Sequence, residues 1–95
     1  MAIYTAVSAK HVATMVAATV DTVTLSGNHK TVEVKHRGTT GFIYFTVNGT
    51  AATDAGDNTY VVGAGQSVTV PSFLTPDAVS LISAGTSAYS VIGIG

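Results

Sequence analysis

This 95-residue sequence has no cysteine and no tryptophan, and charged residues make up only 9% of it. Without cysteine it can form neither a disulfide framework nor a thiolate metal site. Its formal net charge of −1 excludes the broad basic surface of a nucleic-acid binder. Soluble domains average about 25% charged residues, so neutral side chains must cover most of this exterior. A neutral surface repels other molecules only weakly, and the composition therefore favours a protein that is held against a partner.

Long apolar runs are missing as well. Lys10 and His11 interrupt the apolar stretch of residues 1–18, which leaves it short of the roughly 18 to 20 residues that span a membrane. A signal peptide would carry its charge at the start, whereas Lys10 lies in the middle of this stretch. We therefore expect a mature N-terminus, synthesis in the cytoplasm and no membrane partner. The length indicates one domain.

From Val20 onward the sequence contains runs in which apolar and polar residues alternate with a period of two. Such runs, rich in β-branched and aromatic residues, are typical of half-buried strands, and turn residues separate them at roughly ten-residue spacing. The sequence predicts an all-β fold: an antiparallel β-sandwich or small barrel of about seven to eight strands. The side chains expected to point inward are Val23, Leu25, Val32, Val34, Ile43, Phe45, Val47, Val68, Val70, Leu81 and Val91.

Residues 1–19 lack this clean alternation. We expect them to form an N-terminal arm or an extra edge strand beside a sandwich domain of residues 20–95. A short helix over residues 8–18 is disfavoured, because Val12, Thr14, Val16 and Thr19 are weak helix formers. Apolar side chains without a place in the core gain free energy when they are buried against a neighbouring molecule. The N-terminal candidates for such an interface are Ile3, Tyr4, Val7, Val12, Met15 and Val16.

Two further interface candidates, Phe73 and Leu74, lie in a segment bracketed by Pro71 and Pro76. An aromatic residue and a leucine in a connection either cover the core or face a partner. Both alternatives stay open from the sequence.

Two motifs resemble ligand loops. Asp54, Asp57 and Asn58 carry oxygen atoms suited to calcium, but no closing glutamate follows them, and these residue types are also the ones that turns select. The segment GAGQS, residues 63–67, is followed by an alternating run, whereas a phosphate loop opens a helix. We predict a turn at the first motif and a β-hairpin at the second. A hairpin turn is also predicted at Asn48-Gly49.

No catalytic or metal-binding constellation is expected. The three histidines, His11, His29 and His36, lack a paired ligand spacing, and His36 continues the inward face of Val32 and Val34. Most of the carboxylates fall at turns or strand starts, and no Gly-x-Ser-x-Gly elbow occurs. The sequence therefore predicts a non-enzymatic protein without catalytic, cofactor-binding or metal-ligating residues.

In their order along the chain, VEVKHRGTTGFIYFTVNGTAATDAGDNTYVVGAGQSVTVP and VSLISAGTSAYSVIGIG resemble small virion proteins of tailed bacteriophages, particularly those of actinobacterial hosts. The resemblance runs from Val20 to the C-terminus and includes hairpins at IYFTVNG, YVVGAGQSVTVP and LISAGTSAYSV. It implies a structural virion component, most often a capsid decoration or minor capsid protein on the virion surface, and it carries no catalytic residues. The partner it implies is the major capsid protein lattice, and we expect a homo-oligomer, with a trimer as the working assembly.

Two alternatives stay open. A head–tail connector or tail-associated virion protein would be present in far fewer copies per particle. A carbohydrate-binding or adhesin module usually presents aromatic side chains to sugar rings, and here the tyrosines are Tyr4, Tyr44, Tyr60 and Tyr89.

Overall fold

The structure, a computed structural model, describes residues 2–57 and 59–95 and folds into two β-sheets. In this part of the chain there is no helix, and so none that could cross a membrane. The all-β sandwich prediction is confirmed, and the helix alternative for residues 8–18 is wrong. The nine strands are β1 (Ala2–Ala6), β2 (Ala9–Val12), β3 (Asp21–Leu25), β4 (Thr31–His36), β5 (Phe42–Thr46), β6 (Tyr60–Gly63), β7 (Ser67–Pro71), β8 (Asp77–Ile82) and β9 (Tyr89–Ile94).

The strands are divided between a five-stranded sheet, in the order β1-β3-β8-β5-β6, and a four-stranded sheet, in the order β2-β9-β4-β7. All neighbours are antiparallel except β1 and β3, which are parallel. Strands β2 to β9, four in each sheet, follow the order of a jelly roll. Strand β1 is an addition at the edge of the five-stranded sheet, beside β3.

The connections correct two of the predicted hairpins. Residues 63–67 join β6 to β7, and residues 83–88 join β8 to β9, yet the two strands of each pair lie in different sheets. Gly65 has the positive φ that a tight turn needs, at 73°, so the turn itself is present. Among the described strands, only β5 and β6 are consecutive and paired within one sheet. Their connection spans residues 47–59, so the tight hairpin turn predicted at Asn48-Gly49 is wrong. A turn reverses the chain, but non-local pairing determines which sheet receives the returning strand.

The core lies between the two sheets and consists mainly of apolar side chains, with a smaller number of buried polar residues such as Asp21, His36 and Asp77. The predicted inward residues are buried, except Val68, which is half-buried and packs against the core. The alternation of side chains across each strand explains this agreement. Further buried apolar residues were not foreseen: Val12, Met15, Ala52, Val62, Val79 and Tyr89.

Residues 2–19 belong to this sandwich. Strand β1 is an edge strand of one sheet and β2 an edge strand of the other. Met15 donates its backbone N–H to Ser87 O at 3.1 Å, and Ala18 donates to Ser83 O at 2.7 Å, so the connection to β3 is tied to the connection between β8 and β9. Met1 lies outside the described residues.

A polar pair is buried within the core. The hydroxyl of Tyr89 donates to Asp21 Oδ2 at 2.8 Å, and both residues are buried. Burial, with the hydrogen bond and charge of Asp21 adding to it, raises the pKa of Tyr89 far above its usual value. The folded state therefore holds Tyr89 in its neutral form.

This pair predicts a loss of stability in alkali. An unfolded tyrosine ionises near pH 10, whereas the folded chain keeps Tyr89 protonated, so stability falls as pH rises above about 10, by up to about 1.4 kcal/mol per pH unit. Urea unfolding between pH 8 and 11 measures this slope. For Tyr89→Phe, the free energy of unfolding should fall less steeply with pH, by that amount. The substitution should also lower the free energy of unfolding by about 1–3 kcal/mol at neutral pH, because Asp21 loses its hydrogen-bond donor. Equal slopes in the two proteins would contradict the assignment.

Candidate interaction surface

The two outer faces of the sandwich differ in charge. On the five-stranded sheet, strand positions alternate between the core and the exterior, and no described strand residue that points outward is charged, since Asp21 and Asp77 are buried. The outer face of the four-stranded sheet carries Glu33 and Lys35, which alternate with the buried Val32 and Val34. An uncharged face is the one that can be desolvated at least cost.

The uncharged face carries a group of apolar and aromatic side chains, which we call the sheet patch. In register, Tyr44 lies opposite Ile82 of β8 and opposite Val61 of β6, so these three side chains form a row across three strands. Phe42 lies opposite Gly63, and a Cβ placed on that glycine would be 3.7 Å from Phe42 Cε1. Phe42 is 57% exposed and Val61 49% exposed. The sheet patch, Phe42, Tyr44, Val61 and Ile82, is thus continuous and open to solvent.

The interface residues predicted from the sequence lie on different elements. Ile3 and Val7 are exposed along the β1 edge, Val16 is exposed in the connection between β2 and β3, and Phe73 is exposed in the connection between β7 and β8. Leu74 is half-buried, with its Cδ1 atom 3.7 Å from the position of a Cβ on Gly49.

Three of the predicted interface residues pack within the chain. Val12 and Met15 are 6% and 2% exposed in the core, and we do not retain them as interface residues. Their place follows from β2, which pairs with β9 and directs Val12 inward. Tyr4 is half-buried against the core, and Lys10 Nζ lies 4.8 Å from the centroid of its ring.

Sequence reasoning missed Phe42 and Val61 as surface residues. The signal was present for Phe42: because Ile43 and Phe45 point inward, the residues between and before them must point outward. Val61 has weaker support, since its strand has only four residues and no clean alternation of apolar and polar side chains. The register between β5 and β6 was needed to place the two side chains on one face.

A depression lies at the end of the sandwich where β5 ends and β6 begins, and we call it the end depression. It is open to solvent, has a volume of about 360 Å³, and is lined by Val47, Asn48, Thr59, Tyr60 and Phe73. The Tyr60 ring stacks on the buried Phe45 ring, with centroids 5.3 Å apart and planes inclined by 28°. Packing on a core residue holds Tyr60 in a fixed position.

Asp54 and Asp57, whose motif resembles a calcium loop, lie in turns as the sequence predicted. Asp54 and Asp57 are exposed, and Gly56 donates its N–H to Thr53 O at 3.1 Å between them. Asn58 lies outside the described residues. No group of three or more His, Asp or Glu side chains that could hold a metal occurs in residues 2–57 and 59–95.

The three histidines have separate partners. His11 Nδ1 lies 2.6 Å from Ser90 Oγ, and His29 Nε2 lies 3.2 Å from Val7 O. The buried His36 accepts the Gly38 N–H at Nδ1, 3.0 Å away, on the face that its strand pattern predicted. The His29 ring fills the space beside Gly93, where a Cβ would come within 2.2 Å of it. His29 therefore helps to hold separate chain segments together, whereas the side-chain hydrogen bond of His36 stays within its own segment.

Comparison with protein-family models, curated proteins and solved structures found no significant match to this chain.

Proposed function

We propose that this chain is a structural virion protein that binds and stabilises a phage capsid shell, as a decoration or minor capsid protein. The observation that carries the proposal is the sheet patch, with Phe42 and Val61 exposed on an outer face whose outward strand residues are uncharged. Contiguous exposed apolar side chains mark sites of protein association. The resemblance of the order of sequence segments to that of small phage virion proteins supports the same partner, the major capsid protein lattice.

The two faces give the bound protein an orientation. The uncharged face lies against the shell, and the face with Glu33 and Lys35 points to solvent. Binding to the assembled lattice, and not to its separate subunits, stabilises the shell by mass action. Jelly-roll domains occur in viral capsids, so the topology is compatible with this role.

The size of the molecule favours a homo-oligomer. Its whole accessible surface is 4846 Å², which limits the area that one copy can bury against the shell, whereas a standard interface takes about 800 Å² per partner. Linked copies that bind together gain avidity that one small contact lacks. A homotrimer at a local symmetry axis of the shell is the assembly that we propose.

Quantitative mass spectrometry of purified particles tests the proposal. Particles made from the genome that encodes this chain should contain it in a copy number comparable to that of the major capsid protein. Only a few copies would instead indicate the connector or tail alternative, and absence from the particle would overturn the proposal.

The same measurement tests the surface. Phe42→Ser combined with Val61→Ser should strongly reduce the copy number, because these side chains are the apolar contact. Ile94→Ser is the control: Ile94 is 44% exposed on the opposite sheet, and its replacement should leave occupancy unchanged. Equal loss in both proteins would show that the sheet patch is not the shell-binding surface.

A further inference from the structure

The end depression combines two kinds of side chain. Tyr60 and Phe73 supply aromatic rings, and Phe73 is 58% exposed. Asn48 and Thr59 supply an amide and a hydroxyl group. Binding sites for small molecules have this composition: apolar and aromatic walls with a few polar groups that fix the orientation of the ligand.

The polar groups are held in place by bonds that leave part of their capacity unused. Asn48 Oδ1 accepts the Thr50 N–H at 3.1 Å, which fixes the side chain while its amide N–H groups have no acceptor among the described residues. Thr59 donates its hydroxyl to Gly56 O at 2.5 Å, so the same oxygen can still accept a hydrogen bond. The depression therefore offers both donors and an acceptor to a ligand.

None of the described residues that line the end depression is charged. A charged ligand would lose its hydration there without an opposite charge to replace it. The lining matches a ligand with an apolar face, which would stack on the aromatic rings, and with hydroxyl groups, which would hydrogen-bond to Asn48 and Thr59. From this chemistry we infer that the end depression binds a neutral sugar ring.

This site is separate from the sheet patch. Phe42 begins strand β5, whereas Val47 and Asn48 follow its last residue, so Val47 lies five positions along the chain and roughly 16 Å from Phe42. Val61 of the sheet patch follows Tyr60 on β6, but the alternation of a strand directs these two side chains to opposite faces. The proposed sugar site is therefore a second binding function, and it can be tested on the isolated chain without any capsid.

Titration of the ¹⁵N-labelled chain with glucose, galactose, mannose and N-acetylglucosamine, followed by amide chemical shifts, tests the inference. At least one of these sugars should change the amide chemical shifts around residues 47–50, 59–60 and 73, and the change should saturate as the sugar concentration rises. A single sugar ring on an open site predicts a Kd on the order of 1 mM. If none of the four gives a saturable shift, or if the shifts lie elsewhere, the inference is wrong.

Two phenylalanines of nearly equal exposure give a matched pair of variants. Phe73→Ala should weaken sugar binding about tenfold or more, and Phe42→Ala, whose exposure is 57%, should bind the sugar as the unmodified chain does. Asn48→Asp keeps the oxygen that accepts the Thr50 N–H and removes the amide donors, so it should also weaken binding. Unchanged binding by Phe73→Ala would overturn the inference.

Particle occupancy separates this inference from the shell-binding proposal. Phe73→Ala should enter particles normally, because the proposed shell contact is the sheet patch, which replaces the interface role that the sequence predicted for Phe73. If the chain binds no sugar, the particle copy numbers still test the shell-binding proposal. If the chain is absent from particles, the sugar titration still tests the inference about the end depression.

Discussion

Phe45→Ala should lower the free energy of unfolding by about 3 to 5 kcal/mol. Phe45 is fully buried and packs in the core between the sheets, and its ring supports the stacked ring of Tyr60. Removing it leaves a cavity that neighbouring strands, fixed by their hydrogen bonds, can fill only partly. Urea unfolding followed by circular dichroism measures the change.

Phe42→Ala is the control for this prediction. Phe42 lies on the same strand but points to the exterior, so its replacement should change stability by no more than about 0.5 kcal/mol. A similar loss in both variants would mean that the faces of β5 are assigned wrongly.

Deleting residues 2–14 should unfold the chain. This deletion removes β2, which pairs with β9, together with the buried Val12, and it leaves the buried Met15 at the new terminus. Burial of one such side chain is worth about 1.5–3 kcal/mol, and each lost backbone hydrogen bond about 0.5–1.5 kcal/mol. The sum is comparable to the about 5–15 kcal/mol that stabilises a typical domain. Circular dichroism and size-exclusion chromatography report the outcome.

Deleting Ala2–Ala6 alone should leave a folded, less stable domain. This segment is β1, which lies outside the eight strands of the jelly roll, and its Tyr4 and Ala6 are only half-buried. The two deletions thus separate an added edge strand from a strand that the sandwich requires. If the chain without residues 2–14 is as stable as the chain without Ala2–Ala6, β2 is dispensable and the N-terminal segment is an arm.

The sequence by itself predicted the strands from β3 to β9 and most of their inward residues, but it missed Val62, Val79 and Tyr89. The reason is local: side chains alternate across a strand, so a period of two reveals both the strand and its buried face. The same reasoning placed His36 beside Val32 and Val34. It was weakest for residues 2–19, because β2 has only four residues and directs Val12 inward without a longer pattern to mark it.

The surfaces could be predicted only in part. The phase of the alternation makes Phe42 and Tyr44 outward residues. Whether they form one patch with Val61 and Ile82 depends on the register of three strands. The end depression joins Asn48, Tyr60 and Phe73, which are far apart in sequence and have no shared pattern.

Only the tertiary structure decided how the strands are distributed between the two sheets. Glycine and neighbouring polar residues at 63–65 and 83–86 specify chain reversals through local backbone preferences. Whether the next strand pairs with the previous one or crosses to the opposite sheet depends on non-local hydrogen bonds, such as those of β7 with β4 and of β9 with both β2 and β4. A local pattern contains no information about such partners, and so the alternation gave the faces of the strands while long-range pairing gave the jelly roll and its surfaces.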